Sequence, residues 1–190
     1  MVALVGWLQR LVTTVYFLIH LRHLSPPHYF LHNPLFHFQH HNHLLDYGVM
    51  FWGCQPQAKQ VFKMQKRIIR YIFKKSKFTS CRPLFKQHKI LTLPSLYIKH
   101  CCIYVKKNVC NYTVVNNIHE HNTRSNTHLY VPKFNKIKYK KSFVVQSVNI
   151  FNKLPTSIKQ LDFNNFKKKI TSFLIDNVFY NVEDLFSFNF

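Results

Sequence analysis

The chain has 190 residues, 47% of them hydrophobic and 16% aromatic, which suffices for one ordinary core and excludes an intrinsically disordered tail. Lysine and arginine number 27 against 6 acidic residues, a formal net charge of +21. A surface this basic seeks polyanions, and nucleic acid and anionic membrane both qualify.

Residues 1–24 are apolar and read as a helix. Arg10 interrupts the segment, and the longest clean run, Leu11 to Ile19, is too short to cross a bilayer. No small-residue cleavage pattern follows, so a buried or partner-seeking helix is expected rather than a signal anchor. Residues 25–46 are rich in proline and histidine without a sustained period of 3.6 or 2, and no long element is assigned to them.

The clearest element runs from about Ala58 to Lys74. Val61, Gln65, Ile68 and Ile72, flanked by Phe62, Ile69 and Phe73, recur at helical spacing and form one apolar stripe. Lys59, Lys63, Lys66, Arg67, Arg70 and Lys74 repeat on the other side. A second helix is expected to begin at Pro94 and run to about Asn108, with Tyr97, Cys101, Tyr104 and Val105 inward and Lys106 and Lys107 suited to its C-terminal dipole.

Further along, residues 129–141 alternate well enough for two short strands. Ser142 is placed to cap a helix that Pro155 ends, and Asp162 to cap another in which Phe163, Phe166, Ile170, Phe173 and Leu174 share a side. Asn181 is placed to cap a last turn. The expected fold is mainly α: a small helical bundle, then a loop, a short β-hairpin and C-terminal helices. Three regions are expected, with an apolar helix and a poorly ordered segment at 1–46, a helical region at 47–112 and an accessory region at 113–190.

Phosphoryl transfer needs clustered carboxylates to hold a divalent metal. The acids here are Asp46, Glu120, Asp162, Asp176, Glu183 and Asp184; the adjacent pair Glu183 and Asp184 sits at an expected helix start, where dipole compensation explains it. Residues 47–119 carry many cations and no acid at all. Histidines crowd between His20 and His43, but at irregular spacing and without cysteine, so no zinc site is assigned there. Cys101, Cys102, Cys110, His119 and His121 read as buried thiols and loop imidazoles. The cysteines, Cys54 included with Cys81, form no C-x-x-C pair and are odd in number, which favours a reducing, intracellular compartment. No nucleophile elbow or glycine-rich phosphate cradle is present, and no cofactor or metal is expected.

Two stretches point to nucleic acid. The cationic helix face lacks the interleaved acids of a merely solvated face, which favours phosphate contact. In residues 121–142, Arg124 and five lysines are mixed with Tyr130, Phe134 and Tyr139. Such aromatics either stack bases while the cations hold the backbone, or pack inward as an ordinary hairpin.

The segments YGVMFWG (47–53), VFKMQKRIIRYI (61–72), TSCRPLF (79–85), KILTLPSLYI (89–98), HNTR (121–124) and FNKLPTSIK (151–159) follow in an order and spacing that resembles jockey-like non-LTR retrotransposons. The resemblance covers about residues 13–180. It falls on the thumb and the C-terminal segment of the reverse transcriptase, an RNA-directed DNA polymerase, beyond its catalytic palm. Residues 25–46 depart from the family pattern, and the aspartate-bearing polymerase motif and the endonuclease are absent from this sequence. The resemblance implies a thumb-like helical unit that grips template and growing duplex, with the activity residing elsewhere in the family's polyprotein. Binding to RNA, DNA or their hybrid is expected through Lys63, Lys66, Arg67, Arg70, Lys74, Arg82, Arg124, Lys138 and Lys140. The alternatives are a peripheral membrane-associated basic protein and a pseudogene product without function.

Overall fold

A computed structural model describes residues 46, 48–118, 127–133, 135, 139 and 142–190, all within the compact unit Leu45–Phe190. The apolar N-terminal helix, the proline- and histidine-rich segment up to residue 45, the HNTR motif and most of the expected hairpin's second half lie outside them.

The described residues are mainly α-helical. Their helices are α1 (Val49–Trp52), α2 (Ala58–Ile72), α3 (Arg82–Gln87), α4 (Leu93–Lys107), α5 (Phe143–Lys153), α6 (Thr156–Lys159), α7 (Phe163–Asp176) and α8 (Glu183–Ser187), with 3₁₀ turns at Val109–Asn111 and Val115–Asn117. No strand occurs among the described residues. Where the hairpin is expected, Leu129 instead forms an isolated antiparallel bridge with Val114. The backbone N–H of Val115 donates to His128 at 2.9 Å and that of Tyr130 to Thr113 at 2.8 Å. The carboxamide of Asn152 then does what a neighbouring strand would do: it donates to the Leu129 carbonyl at 2.8 Å and accepts from the Leu129 N–H at 2.9 Å.

Helix α4 is the centre, packing against α1, α2, α5 and α7. It is apolar around most of its circumference, burying Leu93, Leu96, Tyr97, Ile98, Cys101, Cys102 and Val105, as a helix covered on several sides must. Tyr104, expected inward, is half-buried and packs edge-on to Phe143 of α5 at 5.0 Å. Thr92 caps α4, accepting from Ser95 N–H at 3.2 Å, and its hydroxyl donates to the Phe179 carbonyl at 2.6 Å. One threonine thus fixes both a helix start and the C-terminal segment.

Glycine explains the docking of α1. A Cβ on Gly53 would stand 2.6 Å from the Tyr97 ring and 2.5 Å from the Val49 carbonyl, so backbone lies directly on α4. Gly48 opens the same short helix with a left-handed φ of 68°.

The inward face of α2 is Ala58, Phe62, Gln65 and Ile69, whereas Val61, Ile68 and Ile72 are half-buried at its margins. The expected stripe is therefore turned about one residue around the helix. Gln65, common to the expected and observed faces, is 1% exposed, and its amide donates to the Leu91 carbonyl and accepts from the Leu93 N–H, each at 3.0 Å. That paired bond needs a polar residue at the middle of an otherwise apolar contact.

At the C-terminal side, α5 begins after Ser142 as expected, but the serine side chain makes no capping bond. Asp162 does cap α7, accepting from Asn164 N–H at 3.1 Å. Phe166, Ile170 and Leu174 form its buried side, while Phe163 is exposed and Phe173 half-buried among the rings of Phe179, Phe188 and Phe190. Asn181 does not cap α8. Asp184 reaches back instead, accepting from the N–H groups of Tyr180 at 2.9 Å and Asn181 at 3.1 Å.

Two measurements check this core. Gln65→Leu leaves the Leu93 N–H without its partner inside the protein and is expected to cost about 1–3 kcal/mol in chemical denaturation. Cys81, Cys101 and Cys102 are buried and Cys54 and Cys110 exposed; burial pushes the Cys101 thiol up to about 12 and that of Cys102 well above its ordinary value. A thiol reagent at neutral pH should therefore titrate Cys54 and Cys110 rapidly in the native protein, and the other three on unfolding.

Candidate nucleic-acid interface

The outward side of α2 follows from its sequence. Residues four apart stack along one helical face, and Lys59, Lys63, Arg67 and Tyr71 are all exposed in that register. Successive members rise about 6 Å along the axis. Among the described residues the side chains of Lys59, Lys63 and Arg67 have no hydrogen-bond or ion-pair partner, and no lysine or arginine pairs with a carboxylate. Asp46 instead contacts the His100 ring, its carboxylate 2.8 Å from Nε2. No carboxylate among the described residues balances the charge on this face, which favours counterion release to a polyanion.

The neighbouring stripe is differently employed. Lys66 is half-buried, its ammonium 4.7 Å from the Phe62 ring and 5.2 Å from that of Tyr180. The Arg82 guanidinium, at the start of α3, lies 4.7 Å from the centroid of the same Tyr180 ring. Tyr180 meets Phe62 edge-on at 5.1 Å and Phe85 at 6.4 Å. Two cations therefore hold a C-terminal aromatic against α2 and α3, each contact contributing about 0.5–1 kcal/mol. Burial raises the Tyr180 phenol, assisted by Cys81 and opposed by Arg82 and Arg70, so it is a neutral donor at physiological pH.

Arg70 donates through Nε to the Thr79 carbonyl at 2.8 Å, hanging the α2–α3 connection from the helix. Cys81 closes the other end of that connection, its thiol 3.5 Å from the Lys66 carbonyl. Neighbouring cations ordinarily favour a thiolate. Here burial outweighs Arg70 and Lys66 and raises the thiol, which does not suit a nucleophile.

The connection itself begins with a Schellman closure: Lys74 N–H donates to Tyr71 at 3.1 Å and Lys75 N–H to Arg70 at 2.8 Å. Lys74 occupies the left-handed position at φ 49°, which glycine ordinarily fills. Helix α3 ends in the same way, with Lys89 at φ 53° and bonds from Lys89 to Lys86 and from Ile90 to Phe85. Phe73 stacks on His88 at 3.6 Å and 10°, so the two helix ends stand side by side.

Of the nine residues assigned to phosphate contact, Lys63, Arg67 and Lys74 are exposed, Lys66 and Arg70 are half-buried and engaged by Phe62 and Thr79, and Arg82 is exposed while its guanidinium lies over Tyr180. Arg124, Lys138 and Lys140 lie outside the described residues. Sequence reasoning passed over Tyr71, Lys75, Lys77 and Phe78, all exposed at the end of α2. A tyrosine in register with the cations, and a phenylalanine set among lysines and serines, were the available signals. Lys167, Lys168 and Lys169 of α7 are also exposed, so positive charge extends beyond α2.

The FNKLPTSIK segment lines an open polar depression with Thr127, His128 and Phe186. Its last residue, Lys159, donates to the Asn152 carbonyl at 2.8 Å, and Lys106 caps the Lys159 carbonyl at 2.6 Å. Burial lowers the Lys159 ammonium, and burial with Lys159 nearby lowers His128. These bonds join α4, α5 and α6 and account for the segment structurally. Among the described residues, no group of three or more His, Cys, Asp or Glu is placed to hold a metal ion, and no helix is long and apolar enough to cross a membrane.

Comparison of the chain with protein-family models, with curated proteins and with solved structures returns no match.

Glycine at either left-handed position relieves the backbone without disturbing a buried contact. Lys74→Gly and Lys89→Gly are each expected to stabilise the fold by about 0.5–1 kcal/mol, read from denaturant midpoints at constant m-value.

Proposed function

We propose that this chain is a non-catalytic, thumb-like helical unit of the retrotransposon reverse transcriptase class that binds RNA, DNA or their hybrid without regard to sequence. The observation that carries the reading is the exposed register of Lys59, Lys63 and Arg67, unpaired among the described residues and continued at the helix end by Lys74 and Lys75. A face of one sign with no compensating carboxylate repels itself unless a polyanion lies on it.

The carboxylates support a binding role over chemistry. Asp162 and Asp184 are occupied with backbone N–H groups at helix ends, where they stabilise the fold. The ordered resemblance to thumb and post-thumb segments supports the class of protein.

The test is affinity for mixed-sequence RNA and DNA as a function of salt. With about six phosphates neutralised, binding should weaken roughly a thousandfold between about 50 and 200 mM salt, and Lys63→Glu with Arg67→Glu should flatten the logarithmic slope by about two. A salt-independent affinity, or binding to anionic vesicles in place of polynucleotides, would sink the reading.

A further inference from the structure

The α2–α3 tip displays two aromatic rings that the core does not use. Phe78 is 85% exposed and Tyr71 63% exposed. Tyr71 stands one turn beyond Arg67 on the outward register of α2. Phe78 sits in the connection beside Lys77, whose ammonium is 4.9 Å from the ring centroid. The other rings nearby are packed: Phe73 on His88, and Phe62 and Phe85 around Tyr180.

This tip is held in shape. Arg70 ties Thr79, the Lys74 and Lys75 N–H groups close the helix end, and Ser76 accepts from Thr79 N–H at 3.0 Å through its carbonyl and from Phe78 N–H at 3.4 Å through its hydroxyl. The exposed side chains from Tyr71 to Ser80 are otherwise lysine and serine, with Lys74, Lys75 and Lys77 around the rings.

We infer that the tip is a stacking platform for single-stranded nucleic acid, on which unpaired bases lie against Phe78 and Tyr71 while Lys74, Lys75 and Lys77 hold the flanking phosphates. The inference rests on the nucleic-acid reading above and adds the form of polymer that this surface prefers. Phosphate contacts attract duplex and single strand alike, but an aromatic side chain needs the face of an unpaired base, and every base offers one. Lipid meets the surface less well, because Phe78 is the sole fully apolar exposed side chain in a segment otherwise of lysine, serine and tyrosine, and one ring anchors weakly.

The experiment measures binding of the full chain to a labelled oligothymidylate and to a mixed-sequence duplex at matched salt, with phosphatidylserine vesicles as a third arm. Phe78→Ala and Tyr71→Ala are each expected to weaken oligothymidylate binding roughly tenfold while leaving duplex affinity within about twofold and the salt slope unchanged. Phe78→Tyr should retain the parent affinity. In Phe78→Trp, the added indole fluorescence should be quenched by oligothymidylate and not by duplex, a readout that does not depend on loss of binding. Equal losses on both polymers, or no loss together with no quenching, overturns the inference and leaves phosphate binding standing. Loss confined to vesicles overturns it in favour of lipid. A parent chain that binds neither polymer overturns this inference together with the reading beneath it.

Discussion

The paired amide bond of Gln65 to Leu91 and Leu93 is the constraint on which the arrangement depends. Helix α2 buries few side chains, and its outer half is too polar and too charged to fix a rotation by apolar contact alone. A buried carboxamide satisfied on both ends has one orientation, and any turn of α2 about its axis would strand a donor or an acceptor in the core. The direction in which Lys59, Lys63 and Arg67 project is thereby set from inside. Thr92, between the two residues of the same joint, extends the constraint to the C-terminal segment through the Phe179 carbonyl. Tyr180 then arrives where Lys66 and Arg82 can cover it.

Cations in this protein consequently divide by what they face. Lys66, Arg82 and Arg70 contact rings and a carbonyl, groups that accept positive charge without neutralising it. Lys106 and Lys159 do the same at helix C-termini, where carbonyl ends attract cations. A chain with few carboxylates cannot bury its lysines in ion pairs, and neutral acceptors take their place. Those lysines and arginines left over on α2 and the tip are open to solvent, which is the basis for assigning them to a polyanion.

Much of the helical framework was legible because its signals are local. Period and capping chemistry placed α2, α4, α5 and α7, and Asp162 caps as its position indicates. What escaped depends on partners distant in sequence. The rotation of α2 is set by Gln65 meeting a segment 26 residues away, and no period reveals that. Ser142 looks like a cap yet makes no such bond, and Asn181 yields to Asp184, because a carboxylate one turn on can satisfy two N–H groups at once. Leu129 finds a side-chain amide where the alternating pattern indicated a strand. At the candidate interface, the cation register was visible and the exposed aromatics were not, since a sequence pattern does not distinguish a phenylalanine that packs from one that projects.

The bond from Arg70 to Thr79 joins a charge to an uncharged acceptor. Mobile ions that weaken long-range attraction between exposed charges have little purchase on a short contact of this kind. On the proposed reading, recruitment and architecture therefore respond differently to the medium: concentrated electrolyte would release a bound polymer while the scaffold that displays the rings stays assembled, ready to engage again on dilution.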